Sequence, residues 1–286
     1  MRFFKKLVDS VKTDIFNENP KALLTEPEDG FSMDALNSVM ISLIEADCLQ
    51  TDSKVGGIPY MPLDFDYPMD LRAERKGEAL AFLCQINFSQ LPPLAGFPEY
   101  GILQFFIGTD FMFGLDAENP TEQSGFRVIY HEHICDESHL LKELPIHPDF
   151  DGEAPVKNEL KMAFTPEVSV IGWQDFRYDT NLLAAYQKEY PMTQSVDDIP
   201  SEIRDKMEEL CNASGSRIGG FPMFTQSDPR QNDNKYANFT TLLIQLDSDP
   251  KKGLMWGDDG VCNFFISPEK LMKKDFSEVL YNWDCY

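Results

Sequence analysis

All four histidines of the chain fall within His131–His147, and three potential metal ligands alternate in His131-Glu132-His133-Ile134-Cys135. On a strand, period-two alternation would put His131, His133 and Cys135 on one face, with His139 as a further donor for zinc or copper. Residues two apart on a straight strand are about 7 Å from one another, so three of them share an ion only where the strand bends. The simpler account, a polar strand end leading into a loop, is favoured. The acidic pairs Asp64/Asp66, Asp247/Asp249 and Asp258/Asp259 offer hard oxygens for calcium but follow no EF-hand pattern. Asp258 and Asp259, between Gly257 and Gly260, read most simply as a hairpin turn. No serine lies in a Gly-x-Ser-x-Gly elbow, no glycine-rich loop precedes Lys-Ser or Lys-Thr, and nothing selects one cysteine as a nucleophile. No catalytic residue and no cofactor is predicted.

A second set of polar residues sits inside apolar runs and occurs twice. Ser53-Lys-Val-Gly-Gly-Ile-Pro59 is answered by Ser216-Arg-Ile-Gly-Gly-Phe-Pro222, Leu83-Cys-Gln-Ile-Asn87 by Leu243-Ile-Gln-Leu-Asp247, and Gly101-Ile-Leu-Gln-Phe-Phe-Ile107 by Gly260-Val-Cys-Asn-Phe-Phe-Ile266. Order is kept throughout, as in a duplication with trimmed loops. The pairs Lys54/Arg217, Gln85/Gln245, Gln104/Asn263 and Asn87/Asp247 keep their character in both copies. Buried polar groups must be satisfied. Internal hydrogen bonding to neighbouring backbone, with the Gly-Gly turns as candidates, is therefore the favoured reading. The functional alternative places Gln85, Asn87, Gln245 and Asp247 around a cleft between the repeats, with Arg230 and Trp256 at its rim.

The elements that would position these residues follow from pattern. Phe3, Phe4, Leu7, Val8, Val11, Ile15 and Phe16 form a helical stripe, and Leu36, Val39, Met40, Leu43 and Ile44 predict a second helix over Met33–Ala46. Leu80–Phe88, Ile102–Ile107 and Phe126–Tyr130 read as strands. Residues 134–215 have no counterpart in the first half: an acidic, proline-rich loop at Glu143–Pro155, then helices at Asn181–Glu189 and from Ser201. Ser267-Pro268-Glu269 has the cap, first-turn proline and acid of a helix start. The expectation is an α+β fold of two similar antiparallel β-rich repeats with flanking helices. Its segments are 1–50, a helical segment on the body; 51–134, the first repeat; 135–215, the connection; and 216–286, the second repeat.

Met255-Trp-Gly-Asp-Asp-Gly-Val-Cys-Asn-Phe-Phe-Ile-Ser-Pro-Glu269 and Val279-Leu-Tyr-Asn-Trp-Asp-Cys285 resemble the C-terminal signature of the YwqG-like family. The Gly-Gly, Gln85-Ile-Asn-Phe88 and Phe224-Thr-Gln-Ser-Asp-Pro-Arg230 stretches are similar to its other motifs, over about 53–285. The resemblance implies a bacterial, cytoplasmic, duplicated β-rich domain of unknown function, with no catalytic residues to carry over.

Composition narrows the partners. Against 25 basic residues stand 48 acidic ones, a formal charge of −23, which repels nucleic acid and anionic membrane and attracts a basic protein or cations. The six cysteines show no CxxC pair, no stretch is long enough to span a membrane, and charges interrupt the N-terminus where a signal peptide would need an apolar run. A reduced, cytoplasmic, non-enzymatic binding protein is expected, with toxin neutralisation as one concrete form. The alternative is an enzyme or binding protein for a small polar ligand in the inter-repeat cleft, with a cation as a candidate aid. A purely structural module is the third reading, and oligomeric state is not readable.

Overall fold

The computed structural model describes residues 33–231 and 235–286. In chain order the strands are β1 (Ala35–Ile44), β2 (Lys54–Val55), β3 (Ala81–Asn87), β4 (Ile102–Ile107), β5 (Arg127–His131), β6 (Leu160–Val170), β7 (Arg217–Gly219), β8 (Thr241–Asp247), β9 (Val261–Ile266) and β10 (Leu280–Asp284). Helices are α1 (Tyr178–Gln187) and α2 (Ser201–Leu210), between β6 and β7, and α3 (Pro268–Met272), between β9 and β10. All ten strands join one sheet in the order β10-β9-β8-β7-β1-β6-β2-β3-β4-β5, and every pairing is antiparallel. The α+β class of two repeats is therefore corrected to a single, mostly β sheet with three short helices among the described residues.

The correction rests on two strands that pattern did not reveal. The stretch expected as a helix over Met33–Ala46 is β1. Its helix-spaced Leu36, Met40 and Ile44 are exposed, whereas Val39 and Ile41 are buried at strand spacing. The connection expected to hold only loop and helices contains β6, which pairs with β1 along its length, from Ala35 opposite Val170 to Ile44 opposite Lys161. This ribbon forms the middle of the sheet. Pro166 sits inside β6 and removes an amide donor, a composition that argues against a central strand. It is tolerated because β2 pairs β6 only at Leu160 and Lys161, leaving the rest of β6 hydrogen-bonded on one side. The predicted helix over 3–16 lies outside the described residues. The other strand and helix expectations hold within a few residues, and Ser267 caps α3 as expected, accepting from Lys270 N–H.

The sheet bends so that its two ends meet. Phe105 on β4 packs against Phe264 on β9, ring centroids 4.8 Å apart, and Phe126 lies 5.0 Å from Tyr281 on β10. Tyr281 also stacks on Phe264 at 4.6 Å. Hydrogen bonds cross the same seam, from Tyr281 N–H to Pro120 O at 2.9 Å and from Gln123 Nε2 to Phe276 O at 2.8 Å. The shared core draws on strands from both ends of the sheet. The opposite face of β3, β4, β8 and β9 is covered by loops through Tyr60–Met61 and Met223–Phe224, so these strands are buried on both sides and do not alternate with exposed residues. Phe264→Ala would leave a cavity where the two ends touch. The expected cost is about 3–5 kcal/mol of unfolding free energy, measured by urea denaturation.

Candidate functional site

The repeated amides are consumed by the fold. Gln85 Nε2 donates to Gln50 O at 2.7 Å and Asp52 O at 2.8 Å, while its Oε1 accepts from Tyr60 N–H at 2.9 Å. Gln245 does the same one half later, donating to Ala213 O and Gly215 O, both at 2.8 Å, and accepting from Met223 N–H at 2.7 Å. Gln104 and Asn263 donate to Tyr60 O and Met223 O, completing the same clamp on each covering loop. Asn87 donates to Thr51 O, and Asp247 accepts from Gly215 N–H. Both glutamines are fully buried. The structure therefore does not bring Gln85 and Gln245 to a shared cleft.

Arg230 and Trp256, expected at that cleft's rim, are interior. Arg230 belongs to a motif present three times: Asp70-Leu71-Arg72, Asp175-Phe176-Arg177 and Asp228-Pro229-Arg230. In each, the arginine backbone N–H and Nε donate to one carboxylate oxygen and Nη2 donates to the other at 2.6 Å. Two copies interlock, because Arg230 Nη2 also reaches Asp175 Oδ2 at 3.0 Å. The Arg230 guanidinium lies 4.4 Å from the Phe265 ring centroid. Burial disfavours the charge on Asp175, yet Arg177 and Arg230 hold its carboxyl below the usual range. These are staples for irregular chain, with charges paired and hydrogen-bonded as burial requires. The Asp-x-Arg spacing was legible in the sequence and was missed.

The histidine cluster separates. β5 ends at His131, whose Nε2 donates to Gln104 Oε1 at 2.9 Å and whose ring meets Tyr60 edge-on at 5.0 Å. His133 is exposed, and Cys135 turns to the Tyr60 hydroxyl, 3.3 Å from Sγ. Among the described residues, no three His, Cys, Asp or Glu side chains come together in a group that could hold a metal ion.

Two openings among the described residues lie along the seam. One is a cavity of about 310 Å³ lined by Asp110, Phe111, Phe113, Met255 and Trp283, with Gly152–Ala154 at its edge. Its aromatic wall is built by the turn after β4, where Phe113 takes φ 50°, a left-handed conformation uncommon for a bulky residue. Hydrogen bonds from Tyr281 Oη to Phe113 O and from Trp283 Nε1 to Met112 O fix that turn to β10. Trp256 lies beneath, 5.7 Å from Phe113 and 6.2 Å from Trp283. Burial opposes the charge on Asp110, but Arg72 and the N–H groups of Met112 and Gly114 keep its carboxyl low. The other opening is a broad cleft of about 610 Å³ that includes Thr121, Gln123, Arg127, Tyr130, Lys274 and Ser277. The expected site residues do not line either opening. Apolar Phe111 and Phe113 inside a turn were the available sequence signal for the first. Arg127 gave none.

His131 sets a pH dependence. Burial pulls its imidazole from an ordinary 6.5 down to about 4. The folded state thus holds it neutral, while the unfolded chain binds a proton as pH falls below 6.5. Its stabilising contribution is present above that pH and is lost on descending towards 4, up to about 3 kcal/mol by linkage. Urea unfolding across this window is expected to show a steeper acid loss for the native chain than for His131→Gln. Equal slopes would contradict the assignment.

A search of curated proteins found no match. The model of one family, described as Domain of unknown function (DUF1963), matches residues 53–285. That span runs from β2 to the end of β10 and contains both seam openings. The chain belongs to this DUF1963 family.

Proposed function

We propose that the protein is a non-enzymatic binding protein whose aromatic cleft receives cationic side chains of a basic protein partner. The observation that carries this reading is Phe111, 72% exposed in a cleft that Phe113, Met255 and Trp283 also line. Aromatic faces attract guanidinium and ammonium groups, each contact contributing about 0.5–2 kcal/mol. Charge supports the same choice. Asp258 and Asp259, exposed beside Gly257 at the cleft, make no ion pair among the described residues. Asp110 is paired with Arg72 and Glu153 with Lys157, so the attraction comes from the free pair and from the chain's charge of −23.

A toxin-neutralising role, in which an acidic binder opposes a basic nuclease in the cytoplasm, is one concrete form of this proposal. The narrower YwqG-like assignment and a duplication origin for the paired motifs belong to the same reading. Among the described residues, no helix is long and apolar enough to cross a membrane. The test is tryptophan fluorescence during titration with an arginine-rich peptide. Binding is expected to weaken roughly tenfold or more between low and physiological salt, and to weaken again in Phe111→Ser, a surface change that leaves the core intact. Salt-independent affinity, or an unaltered Phe111→Ser variant, would overturn the proposal.

A further inference from the structure

Seven arginines lie in the described part of the chain, and six of them pair with a carboxylate. Arg127 is the exception, in a protein where acids outnumber bases 48 to 25. It stands at the start of β5, half-buried, and lines the broad cleft of about 610 Å³ at the seam. Its Nε is anchored to Gln123 O at 3.2 Å and Phe126 O at 3.4 Å. Gln123 is fixed in turn by accepting from Val128 N–H and donating to Phe276 O. The guanidinium is therefore held at its Nε edge, while Nη1 and Nη2 make no hydrogen bond to any described residue.

A half-buried arginine held in place with its outer fork unused is prepared for a planar, bidentate acceptor. Lys274 lines the cleft as well, its ammonium 4.3 Å from the Tyr100 ring centroid and its charge paired with Glu132 at 2.7 Å. Thr121 and Ser277 contribute hydroxyls to the lining. Glu122 and Asp275 line it too, and with the chain's overall charge they penalise a dianion. We infer that this cleft binds the carboxylate of a small organic acid, with Arg127 as its bidentate anchor. The cleft is separate from the aromatic one, and its occupancy does not depend on the basic partner.

The experiment uses the full chain with propionate, and with inorganic phosphate at matched ionic strength. Thermal unfolding and saturation-transfer NMR of the propionate protons are read together. Propionate is expected to raise the melting temperature and give saturation transfer, with affinity falling about tenfold or more in Arg127→Met. Arg127→Lys, which keeps the charge and loses the fork, should fall between the two; circular dichroism establishes that both variants fold. No propionate binding, equal binding by folded Arg127→Met, or stronger binding of phosphate would each overturn the inference.

Discussion

A flat ten-stranded sheet would leave two unpaired edges in water, and this fold depends on the aromatic contact that brings its ends together. Phe105 and Phe126 from one end meet Phe264 and Tyr281 from the other, closing a core that neither end could bury alone. Two openings among the described residues lie beside the same contact. Close-packed strands leave little room between themselves, and both of these openings lie where turns from the two ends converge. The turn after β4, the loop before β5 and the segment after α3 are held there by hydrogen bonds to the opposite end.

The second demand is satisfaction of polar groups on the covered outer face. Loops through Tyr60 and Met223 lie over the sheet, and their backbone groups need partners where water is excluded. Gln85 with Gln104, and Gln245 with Asn263, provide those partners from inside the strands. Lys54 and Arg217 serve the narrow waist, reaching Glu159 at 2.8 Å and Glu167 at 3.4 Å beside the central ribbon. The Asp-x-Arg staples then hold the irregular segments, with Arg230 joining two of them. Residues that draw attention as polar exceptions in apolar runs are thus committed to structure. Free chemistry is left to side chains that carry no such duty, chiefly Phe111 and Arg127.

Much of the flanking strand structure was readable, because aromatic and β-branched runs bounded by glycine and proline leave few alternatives. That Gln85 and Gln245 bond backbone followed from the need to satisfy buried amides, but their partners flank the Gly-Gly turns and are not the turns themselves. The middle of the sheet was not readable for definite reasons. In β1, Leu36, Met40 and Ile44 happen to keep helical spacing although they are exposed, and only burial of Val39 and Ile41 reveals the strand. In β6, Pro166 disguises a strand that is hydrogen-bonded on one side over most of its length. The α+β expectation fails at these two strands, since without them nothing in the sequence joins the two halves into one sheet. The openings were hidden too, because they join residues far apart in sequence, such as Phe111 with Trp283 and Arg127 with Lys274.

The central claim is that recognition occurs at the seam and not at the repeated amides. Chemical-shift mapping of the labelled full chain during titration with an arginine-rich peptide tests it most directly. The account predicts perturbations concentrated at Phe111, Phe113, Met255, Asp258 and the Trp283 indole N–H, contributed by both ends of the sheet. The side-chain amides of Gln85 and Gln245 should stay unmoved. Perturbations centred on those amides or on His131–Cys135, with the seam unchanged, would contradict it.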